Sequence, residues 1–381
     1  MVHTLFLLLF IFIFPVFAGA EELVRFNPDE QEQVHSIPEE HINRPLRQTR
    51  SNNPYDSSPH REMPVSFTIE GLNEPLTQRF IEQFSTPGGR NWLRTILERS
   101  EPYQAFIRSE IERRGLPQEL VFLPVVESAY LATAVSRAGA TGLWQFMRNS
   151  IGPYDMNVTE WVDERRDFWK STIGALDKLE NEYRRLGSWE LTLAAYNAGI
   201  GTVTNAMRRY PGADYWELCR RRAFRNETIN YVPRLLAVSW ILSNPRRFGI
   251  EQVWPEDPRW TRIPVGRSVD LGLLAEHAGI TSFDLKTANR ELSYGITPPD
   301  PNYHIKVPAI YAPAVTAVLE DPELTLITYY FHTIRSGDTL SGIARQYGIS
   351  ENQIRGSNPG LQDRYLRIGQ RLIIPALGGS R

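Results

Sequence analysis

Residues 118–147 read QELVFLPVVESAYLATAVSRAGATGLWQFM. The first part, 118–128, is expected to form an apolar helix that ends at Glu127-Ser128. Pro124, Val125 and Val126 precede the glutamate in sequence and favour burial of this segment. Burial disfavours the charged form of a carboxyl and raises its pKa. That is the condition for a general acid at neutral pH. A solvent-exposed glutamate at a fraying helix end is the competing reading of Glu127 taken alone. After it come Ser136 and a turn of small residues, Gly139-Ala140-Thr141-Gly142, which lets backbone approach a ligand closely. Leu143-Trp144-Gln145-Phe146-Met147 is then expected on a helical turn.

Outward from this stretch, apolar spacing over about 65–245 is helical. Asn73-Glu74-Pro75 opens a pattern through Phe80, Ile81 and Phe84, and a second stretch carries Trp92, Leu93, Ile96 and Leu97. Tyr103, Phe106, Ile107 and Ile111 recur at three and four residues and stop at Gly115. A longer helix is expected over 163–186, capped by Asp163 and ended by Gly187. Ser188 then caps a short helix ending at Asn197-Ala198-Gly199. A last helix covers 227–243, kinked or started by Pro233.

Beyond Pro245, Trp254, Pro255, Pro258 and Trp260 suggest a linker. The last segment, about 331–376, reads strand, helix, helix, strand. An internal repeat precedes it: Ala275–Ile280 aligns with Ala344–Ile349, Asn289 with Asn358 and Leu292 with Leu361, all at one offset of 69 residues. A shared offset over several landmarks marks residues 262–308 as a degenerate copy of the C-terminal module. The fold class is therefore mainly α, a helical domain followed by small α+β modules of βααβ order.

The first twenty residues differ from all the rest. Leu5 to Phe17 are almost continuously apolar and lead to Ala18-Gly19-Ala20. This reads as a secretory signal peptide over 1–20, being short of the roughly 20 apolar residues of a span. An uncleaved anchor is the competing reading. Residues 21–64, rich in Pro, Asn, Ser, Arg and Glu, read as a flexible leader. Export to the periplasm or envelope, peripheral to the membrane, follows. The length of 381 residues suits two or three domains. Lys+Arg 42 against Asp+Glu 44 gives a net charge of −2, without the clustered cations that nucleic acid requires. Cys219 is the only cysteine, so no internal disulfide can form. No metal site or cofactor is expected, and the chain is expected to be a monomer.

Downstream of Glu127, Ala195-Tyr196-Asn197-Ala198-Gly199 sets a tyrosine beside an asparagine, and Asn226–Pro233 brings Tyr231. Aromatic platforms with amide side chains suit sugar rings, which offer an apolar face and many hydroxyls. Core packing is the competing reading of Trp144, Tyr196 and Tyr231.

The order Glu127-Ser128-Ala129-Tyr130, Gly139-Ala140-x-Gly142-Leu143-Trp144-Gln145-Phe146, Ala195-Tyr196-Asn197-Ala198-Gly199 resembles the soluble lytic transglycosylase (SLT) family, with its goose-lysozyme-like helical fold. The lead-in Glu101-Pro102-Tyr103 and Leu116-Pro117-Gln118-Glu119-Leu120 is similar to the membrane-bound lytic murein transglycosylase D branch. Ser336-Gly337-Asp338-Thr339-Leu340, Asn358 and Gly369-Gln370-x-Leu372-x-Ile374-Pro375 resemble the LysM peptidoglycan-binding module. The resemblance covers about residues 65–375.

That resemblance implies cleavage of the β-1,4 bond between N-acetylmuramic acid and N-acetylglucosamine in peptidoglycan glycan strands, leaving 1,6-anhydromuramoyl ends. Glu127 would be the catalytic acid/base. Ser136, Gln145 and Met147 would line the groove and contact the acetamido sugar. Tyr196 and Asn197 would sit beside the scissile bond, and Tyr231 would pack on or hydrogen-bond near Glu127. Glu227 would brace that tyrosine, or else cap a helix or face solvent. Ordinary glycoside hydrolysis uses two carboxylates, and the motif blocks supply only Glu127. A lysozyme-type hydrolase on the same fold and a non-catalytic wall-binding protein are the rival readings. The module at 331–376 is expected to bind glycan. The copy at 262–308 has Arg267-Ser268-Val269 where the other has a Gly-Asp turn, which weakens its expected sugar binding and leaves a scaffold role open.

Overall fold

The computed structural model describes residues 67–250 apart from 160, and 260–375 apart from 299, 328, 359–360 and 362–365. The signal segment, the leader to 64 and Trp254, Pro255 and Pro258 of the expected linker lie outside the described residues. The fold is mainly helical, with two small antiparallel sheets.

Helix α1 (Pro75–Phe84) and helix α2 (Pro87–Arg114) open the helical bundle. The two apolar runs around Trp92 and Tyr103 fuse into the single 28-residue α2, which ends at Gly115 with φ 65°. Thr86 caps it through Gly89 N–H. The helix expected over 118–128 is instead a 3-10 turn, Gln118–Phe122, followed by α3 (Leu123–Ser128). Pro124 lacks the N–H that would continue an α-ladder back to Leu120, so the two segments cannot merge.

Helix α4 runs Phe168–Leu186 and its cap is Asp167, not Asp163. Asp163 is engaged elsewhere: its carboxylate holds Arg165 and its N–H donates to Glu291 O at 2.9 Å. Helices α5 (Trp189–Ala198), α6 (Ile200–Arg209), α7 (Tyr215–Arg220) and α8 (Asn226–Ser243) complete the bundle. Ser188 caps α5 as expected. Helix α8 is the central post, burying Val232, Leu235, Leu236, Val238, Ile241 and Leu242 at 0% exposure. Each such side chain is worth about 1.5–3 kcal/mol of transfer free energy. Pro233 sits inside α8 without ending it. The carbonyl of Ile229, which Pro233 cannot serve, lies 3.0 Å from the Tyr215 hydroxyl.

Two units of the same order follow. The first is β1 (Trp260–Pro264), α9 (Leu271–Ala278), α10 (Ser282–Ala288) and β2 (His304–Pro308), with α11 (Ala312–Glu320) appended. The second is β3 (Tyr329–Thr333), α12 (Leu340–Tyr347), α13 (Glu351–Ser357) and β4 (Arg371–Pro375). In each unit the outer strands pair antiparallel, Trp260 with Pro308 and Tyr329 with Pro375. Trp260, read as linker, instead starts β1; its indole N–H donates to Pro102 O at 2.5 Å.

Asn289 and Asn358 do the same work in their units. Asn289 donates to Leu285 O and Lys306 O, both at 2.8 Å, and accepts from Lys306 N–H. Asn358 donates to Ile354 O and Ile373 O and accepts from Ile373 N–H. A side-chain amide thus staples the second helix to the last strand in both units.

Residues 161–162 leave the helical bundle and join the first unit's core. The Trp161 ring lies 4.0 Å from that of Phe331 in the second unit, and the Arg371 guanidinium sits 4.8 Å from it. One tryptophan therefore touches all three parts of the chain.

Candidate active site

Helix α3 delivers Glu127 and stops at once, because Ala129 and Tyr130 both adopt left-handed backbone, φ 50° and 58°. Two consecutive non-glycine residues there cost on the order of 1–2 kcal/mol each. The surroundings hold them: Tyr130 is 2% exposed and its hydroxyl donates to Val121 O at 2.5 Å. Ser128 Oγ lies 2.9 Å from Leu143 O, tying α3 to the following loop.

That loop is not the expected helical turn at 143–147. Thr141 and Phe146 exchange backbone hydrogen bonds across a tight turn in which Gln145 has φ 51°. Gly142, at φ 86°, packs so close that a Cβ there would lie 1.8 Å from Arg165 O. No larger residue fits. Arg165 also donates to Gly139 O at 2.9 Å, so the segment 163–167 clasps the loop from outside.

Glu127 is only partly exposed. Burial pushes its carboxyl up to about 7; Glu227 adds to the rise, while the Tyr231 hydrogen bond and Lys178 oppose it. The Tyr231 hydroxyl donates to Glu127 Oε1. Tyr196 donates to Trp144 O at 2.8 Å, and Lys178 Nζ sits 4.5 Å from its ring centre. Burial first, and the charge of Glu127 second, hold the Tyr196 hydroxyl well above its ordinary range. Tyr196 therefore stays a neutral donor beside the acid.

Asn197 is held at both ends, donating to Glu227 Oε1 at 3.3 Å and accepting from the Thr228 hydroxyl at 2.8 Å. Glu227 thus braces Asn197, not Tyr231 as one expectation had it. Ser136 and Gln145 turn polar atoms back onto their own loop. Ser136 Oγ accepts from Ala140 N–H at 3.0 Å, and Gln145 Nε2 donates to Gly142 O at 2.9 Å. Met147 is half-buried at the loop's end. Trp144 is fully buried, its N–H on the Thr172 hydroxyl at 2.9 Å; core packing is its role.

Glu127 and Tyr231 are in direct contact, Tyr196 is within electrostatic reach of Glu127, and Asn197 is linked through Glu227. Ser136, Gln145 and Met147 stand on the loop that Ser128 ties to α3. Lys178 and Glu182, paired at 2.5 Å on α4, escaped the sequence reading although their i,i+4 spacing was visible. Two surface hollows, about 480 and 300 Å³, are lined by residues 67–75 and by Trp189, Trp216 and neighbours; Glu127 lines neither. Among the described residues no group of three His, Cys, Asp or Glu side chains could hold a metal ion. Cys219 is half-buried, and burial pushes its thiol up to about 11.

Residues 104–219 match the family described as Transglycosylase SLT domain, and residues 332–375 match the LysM domain. The chain is 33% identical over 304 residues to Membrane-bound lytic murein transglycosylase D of Escherichia coli (strain K12), covering 75% of this chain and 66% of that protein. A putative tributyltin chloride resistance protein of Alteromonas sp. is 37% identical over 117 residues, 30% of this chain and 56% of that one. Among solved structures, an inactive mutant of the lytic transglycosylase Slt from Pseudomonas aeruginosa aligns at 21% identity and a TM-score of 0.32, over 41% of this chain and 25% of that one. The chain spans just under two thirds of the length of the Escherichia coli relative. Around Glu127 the chain thus carries a transglycosylase SLT domain, and behind it a LysM domain.

Proposed function

We propose that the chain is a peptidoglycan lytic transglycosylase with Glu127 as its single acid/base. The observation that carries this reading is the carboxyl itself, buried enough to hold a proton up to about pH 7 and bonded to the Tyr231 hydroxyl. Such a group can give and take a proton near neutrality. Glu127 donates its proton to the glycosidic oxygen between N-acetylmuramic acid and N-acetylglucosamine. The C1–O bond breaks, and the substrate's acetamido group supports the cationic centre. The Glu127 carboxylate then removes the proton of the muramoyl C6 hydroxyl, whose oxygen bonds to C1. The product is a 1,6-anhydromuramoyl end, and no water is consumed. Tyr196 and Asn197 flank the bond, and the loop bearing Ser136, Gln145 and Met147 contacts the acetamido sugar.

The LysM domain supports a wall-bound mode of action, since tethering raises the local concentration on an insoluble polymer. An exported, envelope-located monomer peripheral to the membrane fits the apolar first twenty residues and the relative named membrane-bound. One observation favours the hydrolytic alternative: Glu227 is a second carboxylate close enough to act on the Glu127 titration. Its fixed hydrogen bond to Asn197 suits a positioning role better than a base. Digestion of purified sacculi decides, because anhydro and reducing products differ in mass by one water. Glu127→Gln should abolish anhydro ends. Reducing ends from the native chain would replace this reading with the hydrolytic one.

A further inference from the structure

The first unit has lost the edge that the second presents. Where the second carries Ser336-Gly337-Asp338, the first has Arg267-Ser268-Val269, with Val269 buried and the flanking residues bonded to the unit's own chain. Arg267 donates to Leu319 O at 3.1 Å, Val269 N–H to the Thr297 hydroxyl at 2.8 Å, and Asp270 N–H to Leu326 O at 2.7 Å.

On its other side the same unit buries a cation in the bundle. Lys306, 1% exposed, projects from β2 and places Nζ 2.8 Å from Asp167 and 2.5 Å from Glu291. Tyr303 donates to the same Glu291 oxygen at 2.6 Å. Burial alone would push the Lys306 ammonium down; Asp167 and Glu291 outweigh it and raise its pKa. An ion cluster this dry tolerates no loose geometry. Asp167 caps α4, the helix that carries Thr172 under Trp144 and Lys178 over Tyr196. Glu291 O takes the N–H of Asp163, whose carboxylate orients Arg165, which donates to Gly139 O in the site loop. The chain of contacts from Lys306 to the loop bearing Gln145 is unbroken.

We propose that residues 260–327 form a rigid support of the active site and not a second glycan-binding module, with Lys306 as the positioning residue that fixes α4 and, through Asp163 and Arg165, the 139–147 loop. The inference rests on the transglycosylase reading above. Loss of the cation leaves two acids facing each other and slackens the loop, and small misplacements of this kind cost on the order of 10–100-fold in rate.

The test uses the full chain and Lys306→Met, which keeps the stem without the charge. Turnover of soluble, uncrosslinked glycan should fall in kcat by on the order of 10–100-fold, with KM and sedimentation with insoluble peptidoglycan within about twofold of the native chain. Leu274→Ala, a cavity in the same unit's core away from the cluster, is the comparison. It should lower Tm and leave kcat within about twofold well below that Tm. Equal kcat loss from both variants would reduce Lys306 to a stability residue, and weaker sedimentation with unchanged kcat would return the unit to glycan binding. Either result overturns the proposal. If Lys306→Met is insoluble, Asp167→Asn decides, since asparagine keeps the helix cap: a kcat drop supports the proposal and an unchanged kcat overturns it. An inactive native chain would instead mean that the transglycosylase reading had failed.

Discussion

The two strand–helix–helix–strand units share a backbone plan and the asparagine staple, yet they spend their surfaces in opposite ways. The first turns inward: Lys306 and Glu291 are each 1% exposed, and Trp260 reaches into the helical bundle. The second turns outward, with Tyr330 at 56% and Ile368 at 71% exposure and the Asp338 turn open. One plan therefore packs inward in one place and presents an open face in the other. What separates them is whether charged and apolar groups find partners within the chain.

The largest expected effect tests whether chemistry lives outside both units. Glu127→Gln should lower anhydro-product formation by more than about 10³-fold, while sedimentation with insoluble peptidoglycan stays unchanged. The same substitution has a stability signature. The folded pKa of Glu127 is raised to about 7 from 4.5, so the folded state binds more protons than the unfolded one between those values. Stability contributed by the neutral carboxyl is full below about pH 4.5 and is lost as pH rises toward 7. Glu127→Gln should therefore stabilise the protein by roughly 2–3 kcal/mol at pH 8 and by little at pH 4, read as a pH-dependent difference in Tm. The same protonation sets the activity profile: kcat should fall above about pH 7 as the acid form disappears. An unchanged rate up to pH 9 would remove Glu127 as the acid.

The paired asparagines sharpen the comparison directly. Asn289→Ala removes three hydrogen bonds at a 2% exposed position and should cost about 3 kcal/mol, lowering the melting of bundle and first unit together. Asn358→Ala, in a half-buried setting, should cost about 1–2 kcal/mol and loosen the second unit alone. Hydrogen exchange resolved by segment distinguishes the two; matching patterns would show that the units are equally fused to the bundle. The smallest effect concerns Asp338. The Arg335 N–H and then His332 hold its carboxyl below the usual range. This contribution is present above the unfolded value and fades as pH falls through the depressed one. Asp338→Asn should lower second-unit stability only slightly, by a few degrees of Tm above about pH 4, with the difference vanishing at lower pH where the native carboxyl is itself protonated.

Much of this was legible in the chain. Periodicity marks the helices because packing one face repeats every three to four residues, and the 69-residue offset exposes the second unit's twin through Asn289 and Asn358. The Glu127–Tyr231 contact was implied by the family resemblance, not by the spacing of the residues. Other features were invisible for physical reasons. Asp163 and Asp167 are equal candidates to cap α4, and only the tertiary pull of Arg165 and Glu291 on Asp163 decides between them. Left-handed Ala129, Tyr130 and Gln145 carry no glycine signal, because buried contacts enforce them. A lysine in a short strand reads as surface, so the Lys306 cluster could not be foreseen.

The distance along the chain between Asp167 and Lys306 is 139 residues, and that separation has a meaning in time. Contacts of such long range form only after their loop is closed. A chain emerging residue by residue can assemble the helical bundle early, but the Lys306 anchor on Asp167 waits for β2. Under the proposed activity, nascent or truncated chains that lack residue 306 would carry the acid without its finished cradle. On that reading the order of synthesis makes the support of the site loop the last part to form.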